Sequence, residues 1–388
     1  MKPSLYLPDG VEDLLQPEAW QFEELRRKIL DLFVSWGFQY VDPPVVEYLD
    51  SLLIASGADL DLQTLKVLDQ VSGRQLGIRA DLTSQVIRID TQRFGGKGTQ
   101  RYCYAGPVVF AAPVFANRSR ILFKSGIEIF GVESVTADAE SVHLMLEVAR
   151  MVGIADPVLL LGHMGVYEAL VKALIEAGDL VSEDEPKLFK SIQSKSQSDV
   201  SRLLKVSQLS DFMKRLPMIM SSNLEDISEE MRGAPVGVQS AISELRDLVT
   251  LTDTSEVSLR FDVAELSGYG YHNGPVYSLY HPKYGSALAQ GGRYNGVVNS
   301  EKGDHRPATG FDMDLRMFLR GMQPISEDLI FAPFVEKENK EDLMTVVEKM
   351  RGDGKNVVCA LSPSEAAPVF CTHCLSHEGG KWCLNEIV

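Results

Sequence analysis

The order of apolar and polar residues predicts a mixture of helices and strands. After Pro17, apolar side chains fall on one helical face up to Gly37, where the helix should end. These side chains are Leu25, Ile29, Leu32, Phe33 and Trp36. Residues 74–90 predict a strand followed by a helix, and residues 101–131 predict two strands joined by a loop. Thr136 is the expected N-cap of a helix that runs to Gly153.

The middle of the chain changes character. Residues 165–255 carry apolar positions at helical spacing, which predicts a helical insertion within a sheet domain spanning residues 1–323. Strands resume after it, and Gly310-Phe311 is expected to introduce a helix through Leu315. Residues 324–388 show a strand, helix and strand pattern, which predicts a small C-terminal α/β domain.

A glycine-rich stretch at residues 285–315 is the part of the chain around which we expect a pocket. Gly291 and Gly292 stand together in an apolar strand pattern, where glycine lowers strand stability. Close approach by a ligand or by another backbone explains such a pair. A glycine bulge at a sheet bend explains it equally well.

Composition and charge limit the function. The 388 residues carry 38 Lys and Arg against 54 Asp and Glu, a formal net charge of −16 that would repel a phosphate backbone. We therefore expect no nucleic-acid partner. The sequence has neither a signal-peptide pattern nor a bilayer-length apolar run, so we expect a cytoplasmic protein without a membrane partner. Five cysteines indicate reduced thiols rather than a disulfide framework.

The order of motifs resembles the catalytic domain of class II aminoacyl-tRNA synthetases, specifically histidyl-tRNA synthetase. It runs through Gly106-Pro107, a long loop, Glu128 in a strand, the helical insertion, residues 291–296 and Gly310-Phe311. The resemblance implies an α+β fold with a mostly antiparallel sheet flanked by helices. It also implies a dimer interface at the first motif, Gly37–Glu47.

The departures from that family concern its cations. In the second motif the synthetase arginine and glutamate are Phe110 and Ala112, and in the third motif the arginine is Met317. The arginine of the histidine-specific motif is Ser267. Because ATP activation needs preorganised cations, these changes predict that the chain does not adenylate an amino acid. An active histidyl-tRNA synthetase remains the enzyme alternative.

Loss of these arginines and a short C-terminal domain resemble a second family, the regulatory subunits of ATP phosphoribosyltransferase. That resemblance implies a non-catalytic subunit without a cofactor. It would pair with the short-form catalytic subunit in a hetero-octamer, be required for its activity, and transmit feedback inhibition by L-histidine. The first-motif region would mediate self-association.

The amino-acid half of the synthetase pocket is better preserved, and it implies an allosteric histidine site. The residues at its positions are Asp81, Thr83, Glu128, Tyr271, His272 and Tyr294. A carboxylate on a buried strand face needs a partner, which favours Glu128 most. Asp81 is also a candidate N-cap, His272 a candidate packed side chain, and the tyrosines candidate core aromatics.

Lys124 keeps a structural alternative open. It stands where the synthetases have a glutamine, four residues before Glu128. Pairing of its ammonium group with Glu128 would fill the pocket and leave a scaffold that binds no ligand.

Four residues near the C-terminus have spacing similar to that of zinc ligands: Cys371, Cys374, His377 and Cys383. They lie among apolar residues, where thiols commonly pack as small hydrophobic groups. We therefore predict no metal site, with zinc as the alternative.

Overall fold

The computed structural model describes residues 6–53, 58–94, 97–113, 119–266, 271–299, 304–319 and 329–387. Contacts divide the chain into one unit up to Met322 and a second from Gln323. The helices are α1 Glu18–Ser35, α2 Leu49–Leu53, α3 Ala58–Gln63, α4 Thr83–Phe94, α5 Val135–Met151, α6 Met164–Glu176, α7 Glu185–Gln193, α8 Gln197–Leu203, α9 Gln208–Arg215, α10 Leu224–Glu230, α11 Val236–Leu251, α12 Leu315–Leu319 and α13 Lys337–Gly352. The strands are β1 Gln39–Tyr40, β2 Val46–Tyr48, β3 Leu65–Leu68, β4 Gln75–Ile78, β5 Gln100–Val109, β6 Ile121–Phe130, β7 Val158–His163, β8 Met220–Ser221, β9 Ser258–Asp262, β10 His272–Tyr280, β11 Ala289–Asn299, β12 Asp304–Asp314, β13 Leu329–Ala332, β14 Asn356–Cys359, β15 His373–Glu378 and β16 Lys381–Glu386.

A nine-stranded sheet organises the first unit, in the order β1-β5-β6-β12-β11-β10-β7-β9-β8. Its central strands are antiparallel, while β1 with β5 and β7 with β9 are parallel. Helices α6 to α11 lie between the parallel neighbours β7 and β9, in the region where the sequence predicts the insertion. The short strand β8 within that region was not predicted.

The sheet separates two apolar clusters. One side carries the larger cluster, in which Leu25, Ile29 and Phe33 of α1 are fully buried together with residues of α5 and of the insertion. The other side carries a smaller cluster that includes Val86 of α4 and Tyr294 of β11. The polar groups of the candidate site lie on this second side, because alternate residues of a strand point to opposite faces.

Two local predictions were wrong. Gly310 and Phe311 lie inside β12, and α12 begins only at Leu315, because the ladder with β6 continues as far as Asp314. Thr136, taken from the pattern as the N-cap of α5, is inside that helix; Ser134 is the cap and accepts a hydrogen bond from the Thr136 N–H.

The second unit contains a four-stranded sheet in the order β14-β13-β15-β16 and one helix, α13. Its core comprises apolar side chains from the sheet and from α13, including Ile330, Leu343 and Val347. The pattern predicts the β13, α13 and β14 elements, but not the hairpin of β15 and β16.

Candidate functional site

Glu128 is a carboxylate buried in the centre of the large sheet. Its side chain is 2% exposed. The Tyr294 hydroxyl donates to its Oε2 at 2.7 Å, and the Tyr104 hydroxyl donates to its Oε1 at 3.4 Å. Gly310 on β12 stands opposite Glu128, and a Cβ there would lie under 3.0 Å from the carboxylate. Glycine at position 310 therefore makes room for the acid.

Burial dominates the electrostatics of Glu128. It raises the pKa of this carboxyl to about 8, and the nearby Asp81 and Asp312 act in the same direction. The hydrogen bond from Tyr294 opposes the shift without cancelling it. Across the described part of the chain, no Lys, Arg or His forms an ion pair with Glu128. The carboxyl is therefore mostly protonated at neutral pH.

Two aromatic rings cover Glu128. Tyr271 stacks on Tyr294 with ring centroids 4.6 Å apart and an interplanar angle of 19°. The Tyr271 hydroxyl is buried and makes no hydrogen bond with a described residue. Burial, followed by the charge of Glu128, raises its pKa well above the usual range. The site thus contains an unused hydroxyl next to a neutral carboxyl group.

Asp81 and Thr83 enter the site from the start of α4. Asp81 Oδ2 accepts a hydrogen bond from the Ser84 N–H at 3.2 Å, so the capping interpretation describes the structure. Burial raises the pKa of Asp81, and the charge of Asp312 raises it further. Thr83 Oγ1 lies 3.5 Å from the Tyr104 hydroxyl, which links it to Glu128 through Tyr104.

Lys124 does not pair with Glu128. Its ammonium forms a close ion pair with Asp312 on the neighbouring strand. Burial disfavours the charge on Lys124, but Asp312, Asp81 and Asp314 outweigh it, and its pKa is raised. The Lys124–Glu128 ion pair, which would fill the pocket of a scaffold that binds no ligand, is therefore not present.

His272 lies beside this group. It is paired with Tyr294 in the β10–β11 ladder, and its ring meets Tyr271 edge-to-face at 5.1 Å. A Cβ on Gly292 would lie 2.8 Å from the His272 ring. The structure thus places His272 against the tyrosines of the site.

The positions of the synthetase arginines are apolar and packed. Phe110 is 7% exposed and belongs to the cluster that contains Tyr104 and Tyr294. Met317 is 3% exposed and belongs to the cluster on the other side of the sheet. Ala112 is exposed, and Ser267 lies outside the described residues. Arg316, one position before Met317, pairs with Glu12 at 3.4 Å.

The glycines of residues 285–315 face protein atoms. A Cβ on Gly291 would lie under 3.0 Å from the Gly310 carbonyl and the Tyr277 ring, and one on Gly292 would meet the Pro275 carbonyl at 2.8 Å. Close approach by neighbouring backbone and side chains, one of the alternatives drawn from the sequence, explains both positions.

Sequence reasoning missed two parts of this region. Tyr104 lies two residues before Gly106, and strand alternation would have placed it on the same face. On the opposite face, the Arg293 guanidinium binds Asp138 Oδ2 at 2.5 Å and Glu244 Oε2 at 2.8 Å. The only signal for that cluster was an arginine next to Tyr294 in an apolar strand.

The four residues with zinc-like spacing lie in the β15–β16 hairpin or just before it. All five cysteines are free. No group of three or more metal-binding side chains occurs within the described ranges. In the β15–β16 ladder, Ser376 faces Cys383 and His377 faces Trp382, so alternation turns His377 away from the face that carries Cys374 and Cys383.

The chain resembles known proteins along nearly its whole length. The family profile described as histidyl-tRNA synthetase matches residues 10–318. The ATP phosphoribosyltransferase regulatory subunit of Alkalilimnicola ehrlichii is 38% identical over 396 residues, covering 98% of this chain and 97% of its own. That of Chromohalobacter salexigens is 39% identical over 393 residues, covering 98% of both chains. This chain belongs to the ATP phosphoribosyltransferase regulatory subunit family.

Solved structures show that members of this family and histidyl-tRNA synthetases share one fold. A Bacillus halodurans protein described as an ATP phosphoribosyltransferase regulatory subunit/histidyl-tRNA synthetase superposes with a TM-score of 0.80 at 22% identity, covering 95% of this chain and 96% of its own. Histidyl-tRNA synthetase from Nostoc sp. PCC 7120 gives 0.76 at 17% identity, covering 97% and 92%. These likenesses confirm the predicted class II synthetase-like α+β fold.

Within the described ranges, every helix is too short or too polar to cross a lipid bilayer.

Proposed function

We propose that this chain is the non-catalytic regulatory subunit of an ATP phosphoribosyltransferase in histidine biosynthesis. It binds the short-form catalytic subunit, is required for its activity, and carries feedback inhibition through L-histidine bound at Glu128. The relatives named as regulatory subunits support the first part. The observation that carries the second part is a buried carboxyl held by hydroxyl groups and without a counterion among the described residues.

Glu128 suits the imidazole end of histidine. A buried carboxyl is costly unless a partner satisfies it, and its two contacts are tyrosine hydroxyls. An imidazole nitrogen can either accept its proton or donate to its charged form. Asp81, at the start of α4, provides a carboxylate for the α-ammonium group. The free Tyr271 hydroxyl can donate to a ring nitrogen.

The same face is unsuited to ATP. Phosphate groups need fixed cations, yet Phe110 on this face is buried among apolar side chains. Met317 is buried in the cluster on the other side of the sheet and supplies no cation either. Asp81, Asp312 and Asp314 lie on this side of the sheet, and Lys124 is already paired with Asp312. These charges disfavour a nucleotide, which supports a subunit that senses an amino acid without activating it.

Inhibition requires that histidine distinguish two arrangements of the complex. A ligand shifts an equilibrium only by its differential affinity for the two states. A coupling free energy of about 1–3 kcal/mol is typical, and it is reciprocal. Catalytic-subunit binding must therefore change histidine affinity by the same factor by which histidine changes assembly.

Apolar side chains around the first motif support self-association there. Tyr40, Val45, Val46 and Tyr48 are each at least 37% exposed. Arg79, which is 1% exposed, anchors the motif by donating to the carbonyls of Pro43 at 2.5 Å and Pro107 at 2.8 Å. A fixed apolar surface is typical of an interface between copies. Such pairing would contribute to the proposed hetero-octamer.

Isothermal titration of L-histidine into the purified chain tests the site, with and without the short-form catalytic subunit. We expect histidine binding to be lost in Glu128→Gln. Glutamine keeps the size of the side chain, but it can neither ionise nor transfer a proton to the imidazole ring. Glu133→Gln is the matched control, since Glu133 is exposed. The activity of the catalytic subunit with each variant reports activation separately.

One result would contradict the proposed histidine site, and another would contradict the proposed regulatory role. Histidine binding that survives in Glu128→Gln would place the ligand elsewhere. Failure of the unmodified chain to raise the activity of the catalytic subunit would remove the regulatory role. Histidine-dependent ATP–pyrophosphate exchange would instead restore the synthetase alternative.

A further inference from the structure

The charges around Lys124 and Glu128 are unequal. Among the described residues, four carboxyl groups act electrostatically on Lys124 or on one another: Asp81, Glu128, Asp312 and Asp314. Arg79 and the Asp90–Arg306 ion pair lie on the same side of the sheet but outside this group. Lys124 is the ammonium group among them. When the three aspartates are ionised and Glu128 is neutral, the group has two more negative than positive charges. When Glu128 is ionised as well, the excess is three.

Strand register fixes this arrangement. Lys124 stands opposite Asp314, and Gly126 opposite Asp312, in the β6–β12 ladder. Gly126 has no side chain, so the Lys124 ammonium can reach Asp312 diagonally across the two strands. Asp314 Oδ1 accepts hydrogen bonds from the N–H groups of Phe123 and Arg316, both at 3.2 Å. The acidic groups are therefore held in place before a ligand arrives.

The negative charges of Asp81 and Asp312 change the ionisation of the groups around them. Asp81 and Asp312 both raise the pKa values of Glu128, Tyr104 and Tyr271, in each case in addition to burial. The field thus extends from the start of α4 across β5 and β6. A second negative charge entering this space would be repelled, and a positive charge would be attracted.

We infer that the ligand is recognised through its ammonium group and imidazole ring, and that a carboxylate on the ligand weakens binding. A cationic imidazole amine should therefore bind more tightly than the zwitterionic amino acid. This inference rests on the proposed function, because it concerns the same pocket, and it adds the charge specificity of that pocket.

Titration of L-histidine and of histamine into the full-length chain tests this directly. Histamine is the same imidazole and amine without the carboxylate. We expect its Kd to be lower by about tenfold, which corresponds to about 1.4 kcal/mol.

Asp312→Asn gives a second, independent test. It removes one negative charge and releases the Lys124 ammonium to meet a ligand carboxylate, so the preference for histamine should shrink. Asp247→Asn is the matched control, because Asp247 is exposed on α11 and does not adjoin this pocket. The ligand comparison on the unmodified chain stands even if Asp312→Asn fails to fold.

The outcomes separate the two claims. Tighter binding of histamine supports the inference, and binding of histamine alone supports it as well. Binding of L-histidine with a Kd equal to or lower than that of histamine overturns it while leaving the proposed function intact. Absence of binding by both compounds overturns the inference and the proposed histidine site together.

Discussion

Two neighbouring residues of β11, Arg293 and Tyr294, point to opposite faces of the large sheet, and they bind carboxyl groups in different ways. Tyr294 donates a single hydrogen bond to Glu128. Arg293 binds Asp138 and Glu244 on the other face with a full cationic charge. Tyr294 thus binds a carboxyl group that has no counterion among the described residues. Its neighbour Arg293 is itself the counterion of two carboxylates.

The ionisation of these groups shows the consequence. Burial raises the pKa of Glu128 to about 8. Burial also raises the pKa of Asp138, but the hydrogen bond and the charge of Arg293 oppose that shift. His163 and then Arg293 help to lower the pKa of the more exposed Glu244 to about 2. The cluster around Arg293 provides its own counterion and is structural. A strongly shifted group that lacks one is typical of a functional site, where a ligand supplies the partner.

Removing Asp138 should have the largest effect on stability. Asp138 is fully buried, and Asp138→Ala leaves Arg293 with one partner, Glu244. We expect a loss of about 3–5 kcal/mol in the free energy of unfolding. Urea unfolding followed by circular dichroism measures it, with Asp247→Ala as the exposed control. A loss below about 1 kcal/mol would show that the cluster is not a structural element.

The pH dependence of stability should be the next largest effect. Glu128 has a folded pKa of about 8 against an ordinary value of 4.5, so the folded state binds more protons between these two pH values. Its contribution is complete below about pH 4.5 and is lost as the pH rises through 8. We expect the unfolding free energy of the unmodified chain to fall by about 2 kcal/mol between pH 6 and pH 8, relative to Glu128→Gln. Parallel profiles for the two proteins would contradict the shifted ionisation.

Tyr294→Phe should have a moderate effect. It removes the 2.7 Å hydrogen bond to Glu128 and keeps the ring that stacks on Tyr271. We expect a loss of about 1–2 kcal/mol in stability, measured by thermal unfolding. The control is Tyr271→Phe, whose hydroxyl makes no hydrogen bond to a described residue, so stability should remain within about 0.5 kcal/mol. Equal losses in both variants would mean that removing either buried hydroxyl has the same cost, so the hydrogen bond to Glu128 would have no special contribution to stability.

A surface ion pair should have the smallest effect. Arg150 bonds Glu147 at 2.6 Å and Glu256 at 2.8 Å, but its side chain is 46% exposed. Arg150→Ala should cost about 0.5 kcal/mol or less in chemical unfolding, because water screens the pair. If the cost approached that of Asp138→Ala, burial would not be what distinguishes the Arg293 cluster.

Much of the fold could be predicted because periodicity is a local signal. The α1 face, the β5–β6 pair and the β13-α13-β14 pattern are all visible in consecutive residues. The misplaced helix start at Gly310 shows the limit, because that glycine belongs to β12 for a non-local reason, namely its pairing with Glu128 on β6.

The site was only partly predictable for the same reason. Glu128 and Tyr294 are 166 residues apart, and the resemblance to a family indicated both before the structure joined them. Tyr104 and the Lys124–Asp312 pair depend on strand register, which the pattern of residues did not specify. Arg293 was missed because its partners, Asp138 and Glu244, are distant in sequence and carry no motif.

Gly310 also restricts how this protein can change over generations. Any side chain at that position would collide with the Ile127 carbonyl and the Glu128 carboxylate, whereas the space beside Gly352 is open. A lineage can therefore substitute Gly352 without steric penalty, but Gly310 stays closed to substitution even when Glu128 is lost, because the Ile127 carbonyl remains. Loss of the acid and loss of the glycine are thus separate events: Glu128 can be replaced while the backbone beside it continues to require glycine at position 310.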